Sequence, residues 1–383
     1  MAYGNPLGNP LGNPLGIPRS QSSVSSISSI GSIVTHSGAA AANELPADGR
    51  SLLKADYSKL YAAIGDAYTQ AFTTNPTITT STLPSSTTWI DVAYGNGLFI
   101  AISSTGQTAI SNDFGATWRA GGALPGSVTW QALTFGNGIF VAVAGTNTSI
   151  SASSADGLTW TQRAMSIAAN WTSVAYGNGR FVAFAGTSSS YSLDGLSWNA
   201  GGNLGMSTTM SKMAFGAGRF VAANAANSTS FVATTIDGVT WVGVSLPASR
   251  RTKGLAFGNG LFVITSDDAN AYLFSWDGLK WLGGIAASDV NLLLAFYYGR
   301  FFAFPSAGVS VKNFDYPDNF GTAITSPGNS FAQAYAVGGG YMVVLSNVSS
   351  NQVARFYMLT QTNFNIPNVQ ALDPDKTAFV RVS

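Results

Sequence analysis

One pattern returns seven times along this chain, and it constrains the fold more than any other feature. It is an apolar strand, a tight Gly-containing turn and a second apolar strand. The copies read VAYGNGLFIA at 92–101, LTFGNGIFVA at 133–142, VAYGNGRFVA at 174–183, MAFGAGRFVA at 213–222 and LAFGNGLFVI at 255–264. Two weaker copies follow, LAFYYGRFFA at 294–303 and YAVGGGYMVV at 335–344. The last turn glycine falls at 97, 138, 179, 218, 260, 299 and 340, a spacing of 39 to 42 residues. That is the period of a propeller blade. The repeats therefore predict a mainly β chain, with a seven-bladed β-propeller of four-stranded blades over residues 76–359.

Within each copy an aromatic stands three residues before that glycine (Tyr94, Phe135, Tyr176, Phe215, Phe257, Phe296), with Val337 in the seventh. The residue before it is small in every copy, from Ala93 to Ala336. Large and small side chains in alternation suit twisted sheets packed face to face around an axis. Glycine in the turn permits the positive φ of a two-residue hairpin.

A second motif recurs further on in five repeats: SNDFGATW at 111–118, SADGLTW at 154–160, SLDGLSW at 192–198, TIDGVTW at 235–241 and SWDGLKW at 275–281. The sixth repeat keeps only NFDYPDNF at 313–320, and the seventh has no copy. An Asp carboxylate that accepts backbone N–H groups, a left-handed Gly and a plugging Trp make this a hairpin turn. The motif resembles the Asp-box of sialidases and related β-propellers, where it is structural and lies away from the active site. The resemblance thus implies fold roles for Asp113, Trp118, Asp156, Trp160, Asp194, Trp198, Asp237, Trp241, Asp277 and Trp281. With no box in the seventh repeat, the β-branched segment Thr77–Thr82 is expected to supply the outer strand that closes the ring.

The ends carry different signals. GNPL, repeated three times between Gly4 and Leu15, is an extended arm, since Pro fixes φ and interrupts any helix. With the Ser-rich stretch it forms an anchoring arm over 1–33, whose Leu7, Leu11 and Leu15 are candidates for docking in pockets of other proteins. Leu53, Tyr57, Leu60, Tyr61 and Ile64 lie at helical spacing and predict an amphipathic helix over 54–64, preceded by a turn at Asp48-Gly49. DGRSLLKADYSKLYAAIGDAYT at 48–69 resembles the start of a phage tail-collar domain. FNIPNV at 364–369 and KTAFVRVS at 376–383 resemble its second half. The resemblance implies a small α+β collar-like domain, split into 34–75 and 360–383, into which the propeller is inserted. It also implies a bacteriophage virion protein of the tail or tail fibre, located in the virion; the Pro-interrupted N-terminus, with no continuous apolar stretch, is expected to carry no export signal. The family is often trimeric, so a homo-oligomer is among the expected partners.

Composition narrows the chemistry. The chain has 383 residues, no Cys, one His, one Glu and a net charge of +1. A basic nucleic-acid footprint is absent, as are disulfides and thiol nucleophiles. No apolar run is long enough for a membrane-spanning helix, and no cofactor fingerprint or metal set is visible. The Gly-rich strings precede strands rather than helices, so they are not phosphate loops. The Asp-box resemblance raises sialidase chemistry, but its Tyr nucleophile needs a Glu partner, and Glu44 lies outside the propeller. His36 has no supporting residues for a triad or a metal site. The chain is therefore expected not to be an enzyme and to need no cofactor.

The expected function is binding of the host surface, a glycan or other receptor, through the variable-loop face opposite the Gly-turn and Asp-box face. These loops are rich in Ser, Thr, Asn and Gly, and variable loops on a rigid scaffold are where binding resides. Three groups are candidate ligand residues. Trp89, Trp130 and Trp171, which begin three inner strands, either stack on sugars or pack between blades. Arg250, Arg251 and Lys253 form the densest basic cluster, or a solvated loop. Asp267 and Asp268 either bind a cation with loop carbonyls or are simply solvated. The competing readings are a purely structural virion protein that decorates or joins parts, and a polysaccharide depolymerase.

Overall fold

A computed structural model of the chain describes residues 76–357, apart from short segments at 205–209, 225–228, 267–270, 287–290, 306–309, 317–318, 321–323, 326–332 and 347–350. Outside that range it describes strands at 33–36, 44–46, 51–53, 363–365 and 377–381. The chain divides into two units, Pro76–Tyr357 and the paired ends Met1–Asn75 with Met358–Ser383.

The first unit is a seven-bladed β-propeller. Each of the first five blades is four antiparallel strands in sequence order from the axis outward. The inner strands are Trp89–Gly95, Trp130–Gly136, Ser173–Gly177, Met210–Gly216, Thr252–Gly258, Asn291–Tyr297 and Tyr335–Gly338. In the seventh blade the outer strand is Thr77–Thr82, which pairs with Gln352–Tyr357 in the register Thr80 opposite Ala354. The ring thus closes with the strand expected from sequence. The sixth blade has a broken outer edge: Asn319–Phe320 and Ile324–Thr325 both pair with Ser310–Tyr316.

The hairpin turns follow their sequence. Asn96 and Gly97 have φ of 49° and 77°, and the equivalent pair in every blade is positive in the same way. Two positive φ angles make a type I′ turn, whose twist matches that of the flanking strands. The Asn96 amide nitrogen donates to the carbonyls of Gly138 (2.9 Å) and Ala155 (3.0 Å). This ties the turn of one blade to both turn types of the next, so Gly-turns and Asp-boxes share a face.

Blades meet through one recurring contact. A Cβ placed on Gly136 would lie 2.0 Å from the Tyr176 ring, and one on Gly95 would lie 2.1 Å from Phe135. The same clash recurs at Gly177, Gly216, Gly258 and Gly338, each against the aromatic of the following blade. The glycine is a seat for the neighbour's ring. The sixth blade has Tyr297 in that position, and the seventh then has Val337 where the others carry an aromatic. Tyr297 fills the space itself, is buried, and donates from its hydroxyl to the Gly340 carbonyl at 2.7 Å.

The core lies between blades. The second strands, such as Phe140–Ala144 and Phe181–Phe184, are fully buried. The inner-strand aromatic packs on the first aromatic of the second strand, as in Tyr176–Phe181 with centroids 4.8 Å apart.

The second unit contains a three-stranded sheet, in which Thr377–Arg381 lies between Ile33–His36 and Glu44–Pro46, all antiparallel. Ser51–Leu53 pairs with Asn363–Asn365. The helical spacing places Leu53 on the expected helix face, but in the structure Leu53 lies in a strand opposite Asn363. Backbone pairing with the far end of the chain overrides its local periodicity. The rest of the expected helix at 54–64, the Asp48-Gly49 turn, and Leu7, Leu11 and Leu15 lie outside the described residues. No described helix is long and apolar enough to cross a membrane.

Candidate functional site

The five Asp-box carboxylates are consumed by their own turns. Asp156 accepts from the amides of Leu158 (2.8 Å) and Thr159 (3.1 Å) and from the Ser154 hydroxyl (3.1 Å). Asp194, Asp237 and Asp277 repeat this pattern, while Asp113 in the longer first box binds the Thr117 amide and hydroxyl. The Thr159 and Leu158 amides hold Asp156 below the usual carboxylate range, and the Ser197 amide leads the same effect at Asp194. At Asp113, Asp237 and Asp277 partial burial pushes upward, but the summed hydrogen bonds outweigh it and the net shift is down. A carboxylate held ionised in this way is a poor general acid. Of the box indoles, Trp160 and Trp241 donate to the Gly157 and Gly238 carbonyls, and Trp118 to the Ser81 hydroxyl. Trp198 and Trp281 are buried in the inter-blade clusters.

The Trp arc is not a sugar platform. Trp130 and Trp171 are fully buried and Trp89 is 4% exposed. Each is wedged between its own blade and the preceding one: Trp89 against Val353 and Leu345, Trp130 against Ile102 and Leu124, Trp171 against Val143. The Trp89 and Trp171 indoles donate to the carbonyls of Ser85 and Thr148. The basic cluster also separates. Arg250 ends the outer strand Val242–Arg250, Arg251 is half-buried, and Lys253 lies in the next inner strand. Asp267 and Asp268 lie outside the described residues.

Lys253 reaches the feature that sequence reading missed, a cavity of about 520 Å³ on the propeller axis. All seven inner strands line it. Those with a resolved bulge shift register near their start, as between Trp89 and Asp91 or Thr252 and Gly254. The residues at this level include Gln131, Thr172, Lys253 and Gln333 on the cavity wall. One position further in, six residues before the last turn glycine, stand Asp91, Ala132, Ser173, Lys212, Gly254, Leu293 and Ala334. Only blades one and four carry charge there.

Asp91 keeps intermediate exposure to the cavity, yet protein surrounds it. That burial pushes its carboxyl up to about 6; the Leu133 and Val92 amides, and then the Lys212 charge, pull it back. The two amides donate to Asp91 at 2.7 and 2.9 Å. Burial likewise pushes Lys212 down, opposed by Asp91 and reinforced by Lys253. Among the described residues no cluster of three or more His, Asp or Glu could hold a metal. The arrangement brings two cations and one carboxylate to the wall of one axial cavity, a binding chemistry. In sequence, the sign was two charged residues at a position otherwise small or apolar.

No protein-family model matches the chain, and no curated protein matches its sequence. Solved structures do match in fold. YCF48 bound to a D1 peptide is 16% identical, with a TM-score of 0.61 over 76% of this chain and 98% of that one. Virginiamycin B lyase from Staphylococcus aureus is 7% identical, with a TM-score of 0.63 over 74% and 100%. The WD40 propeller domain of Doa1 is 14% identical, with a TM-score of 0.55 over 74% and 97%. At these identities the likeness is one of fold alone.

Proposed function

We propose that the protein is a bacteriophage virion component, of the tail or its fibres, whose propeller binds host surface carbohydrate without cleaving it. The observation that carries the binding reading is the axial cavity. Its volume suits a small ligand, and its polar groups converge from separate blades, as binding pockets require. The connections at the open start of the inner strands are short and polar, with Thr105, Gln107, Thr146, Asn147 and Asn170 exposed. The virion side of the proposal rests on the collar-like ends and the GNPL arm. A collar split by an insertion needs its two halves to pair, and the strands Ile33–His36, Glu44–Pro46 and Ser51–Leu53 pair with Thr377–Arg381 and Asn363–Asn365.

A joining role has its own support. On the Gly-turn face, Leu158, Leu193, Leu196, Ile236, Val239 and Trp276 flank the Asp-boxes of blades two to five and are all at least 39% exposed. Apolar patches of this kind mark protein contacts.

The test is the whole chain on a panel of bacterial surface polysaccharides, with binding and released oligosaccharide read in the same samples. Saturable binding without new reducing ends is the expected result. Release would turn the reading to a depolymerase. Neither signal, on a panel that includes the host, would favour the joining role.

A further inference from the structure

We propose that the joint between blades seven and one is a second binding site, on the Gly-turn face, for a carboxylate-bearing sugar. Arg355 takes the carboxylate, and the aromatic rings around it take the sugar ring. The ligand class rests on the carbohydrate-binding reading above; the arrangement of side chains does not depend on it.

A layered stack marks this joint. Phe114 of the first Asp-box lies on Tyr341, with centroids 5.0 Å apart and planes 12° from parallel. The Arg355 guanidinium stands 4.2 Å from the Tyr341 centroid and 5.0 Å from that of Tyr357. Its Nε donates to the Phe114 carbonyl at 2.8 Å. All four side chains are at least partly exposed. Two rings and one hydrogen bond thus fix the guanidinium plane. Its Nη1 and Nη2 atoms make no hydrogen bond or ion pair among the described residues. A guanidinium oriented in advance offers those two nitrogens as a fork that fits the two oxygens of a carboxylate.

Closing the ring accounts for the Nε bond and leaves the fork over. Asp113 belongs to the same turn as Phe114, but its oxygens are taken within the box. Oδ1 accepts from the Ser111 hydroxyl and the Thr117 amide, and Oδ2 from the Thr117 hydroxyl. The blade itself does not call for a cation here. Arg355 pairs with Val343, and the equivalent third-strand positions hold Ile110, Ser153, Tyr191, Thr234, Phe274 and Asn313.

Phe114 points the same way. It is the extra residue of the longer first box, and the four shorter boxes do without it. Its φ of 58° lies in the left-handed region, which a bulky side chain rarely enters, and 36% of its surface is exposed. Backbone strain of this kind is costly and clusters at functional sites. Gly339 makes room for it, since a Cβ there would lie 2.2 Å from the Phe114 ring. Three rings around one charged fork suit a ligand with a flat ring and a carboxylate, and a sugar acid has both.

The experiment is calorimetric titration of the full chain at neutral pH with tetragalacturonate, its methyl ester and inorganic phosphate. Tetragalacturonate is expected to saturate one site per chain, with the ester and phosphate each at least about tenfold weaker. Arg355→Gln should weaken tetragalacturonate about tenfold or more. Tyr357→Leu should weaken it several-fold. It leaves the Nε bond in place, so it reads the site even where Arg355→Gln lowers the melting temperature below that of the titration. Absent tetragalacturonate binding, equal binding of acid and ester, or binding untouched by both substitutions would each overturn the site. Phosphate binding as tight as tetragalacturonate would overturn a sugar as its ligand. Polysaccharide binding without any Arg355-dependent binding of tetragalacturonate would sink this site and leave the host-surface reading intact. Arg355-dependent tetragalacturonate binding by a protein that ignores every polysaccharide would do the reverse.

Discussion

At the residue scale, the joint between blades is a two-residue arrangement spread over two repeats. Glycine in one blade makes room for the ring of the next, and the sixth joint exchanges the sizes, Tyr297 facing a blade that carries Val337. Packing at crystal-like density leaves little room for any other combination. Tyr297→Gly alone should cost about 3–5 kcal/mol, the usual range for deleting a large buried ring. Val337→Phe alone should also destabilise, since the seat is occupied. Together they recreate the arrangement of the other six joints and should recover at least half of the summed loss. Urea unfolding of the two single variants and the double variant reads this directly. Additive losses would mean that the two positions do not share a seat.

At the scale of elements, the last blade is assembled from both ends of the propeller sequence. Its first three strands come late in the sequence and its outer strand, Thr77–Thr82, comes first. The ladder is continuous over six pairs, from Gln352 opposite Thr82 to Tyr357 opposite Thr77. A crosslink here would close a loop of nearly the whole propeller, and the chain has no Cys to interfere. Thr80→Cys with Ala354→Cys joins directly opposed residues. It should form a disulfide worth up to about 5 kcal/mol by loop-closure entropy. The expected reading is a rise in melting temperature that reductant abolishes. The same melting temperature oxidised and reduced, with the disulfide shown to form, would mean that this strand leaves the ring before the rest unfolds.

For the whole molecule, two classes of carboxylate pull stability in opposite directions with pH. Asp91 has its pKa raised to about 6, so the folded chain holds that proton more tightly than the unfolded chain. Its contribution is present below the ordinary value of 3.8 and is lost as pH rises through about 6. The five Asp-box carboxylates are depressed, so their contribution is present above 3.8 and is lost as pH falls below it. Asp91→Asn should therefore flatten the decline in melting temperature between about pH 4 and pH 6 and leave the acid collapse in place. Parallel curves for parent and variant across that window would show that Asp91 does not titrate there.

The sequence by itself determined the number of blades, their turns and the strand that closes the ring. Each depends on local chemistry repeated in phase: two residues of positive φ between apolar strands, a carboxylate over its own turn, and β-branched alternation at Thr77–Thr82. It also showed which residues serve the fold, because the Asp-box carboxylates act within a few residues of themselves. Tertiary structure alone decided the rest. Burial of Trp89, Trp130 and Trp171 depends on the preceding blade, which local sequence does not reveal. The partners of Leu53 lie more than 300 residues away. Asp91, Lys212 and Lys253 stand in three repeats that only the closed ring brings to one axis, and the shifts of Asp91 and Lys212 come from the desolvation that closure imposes.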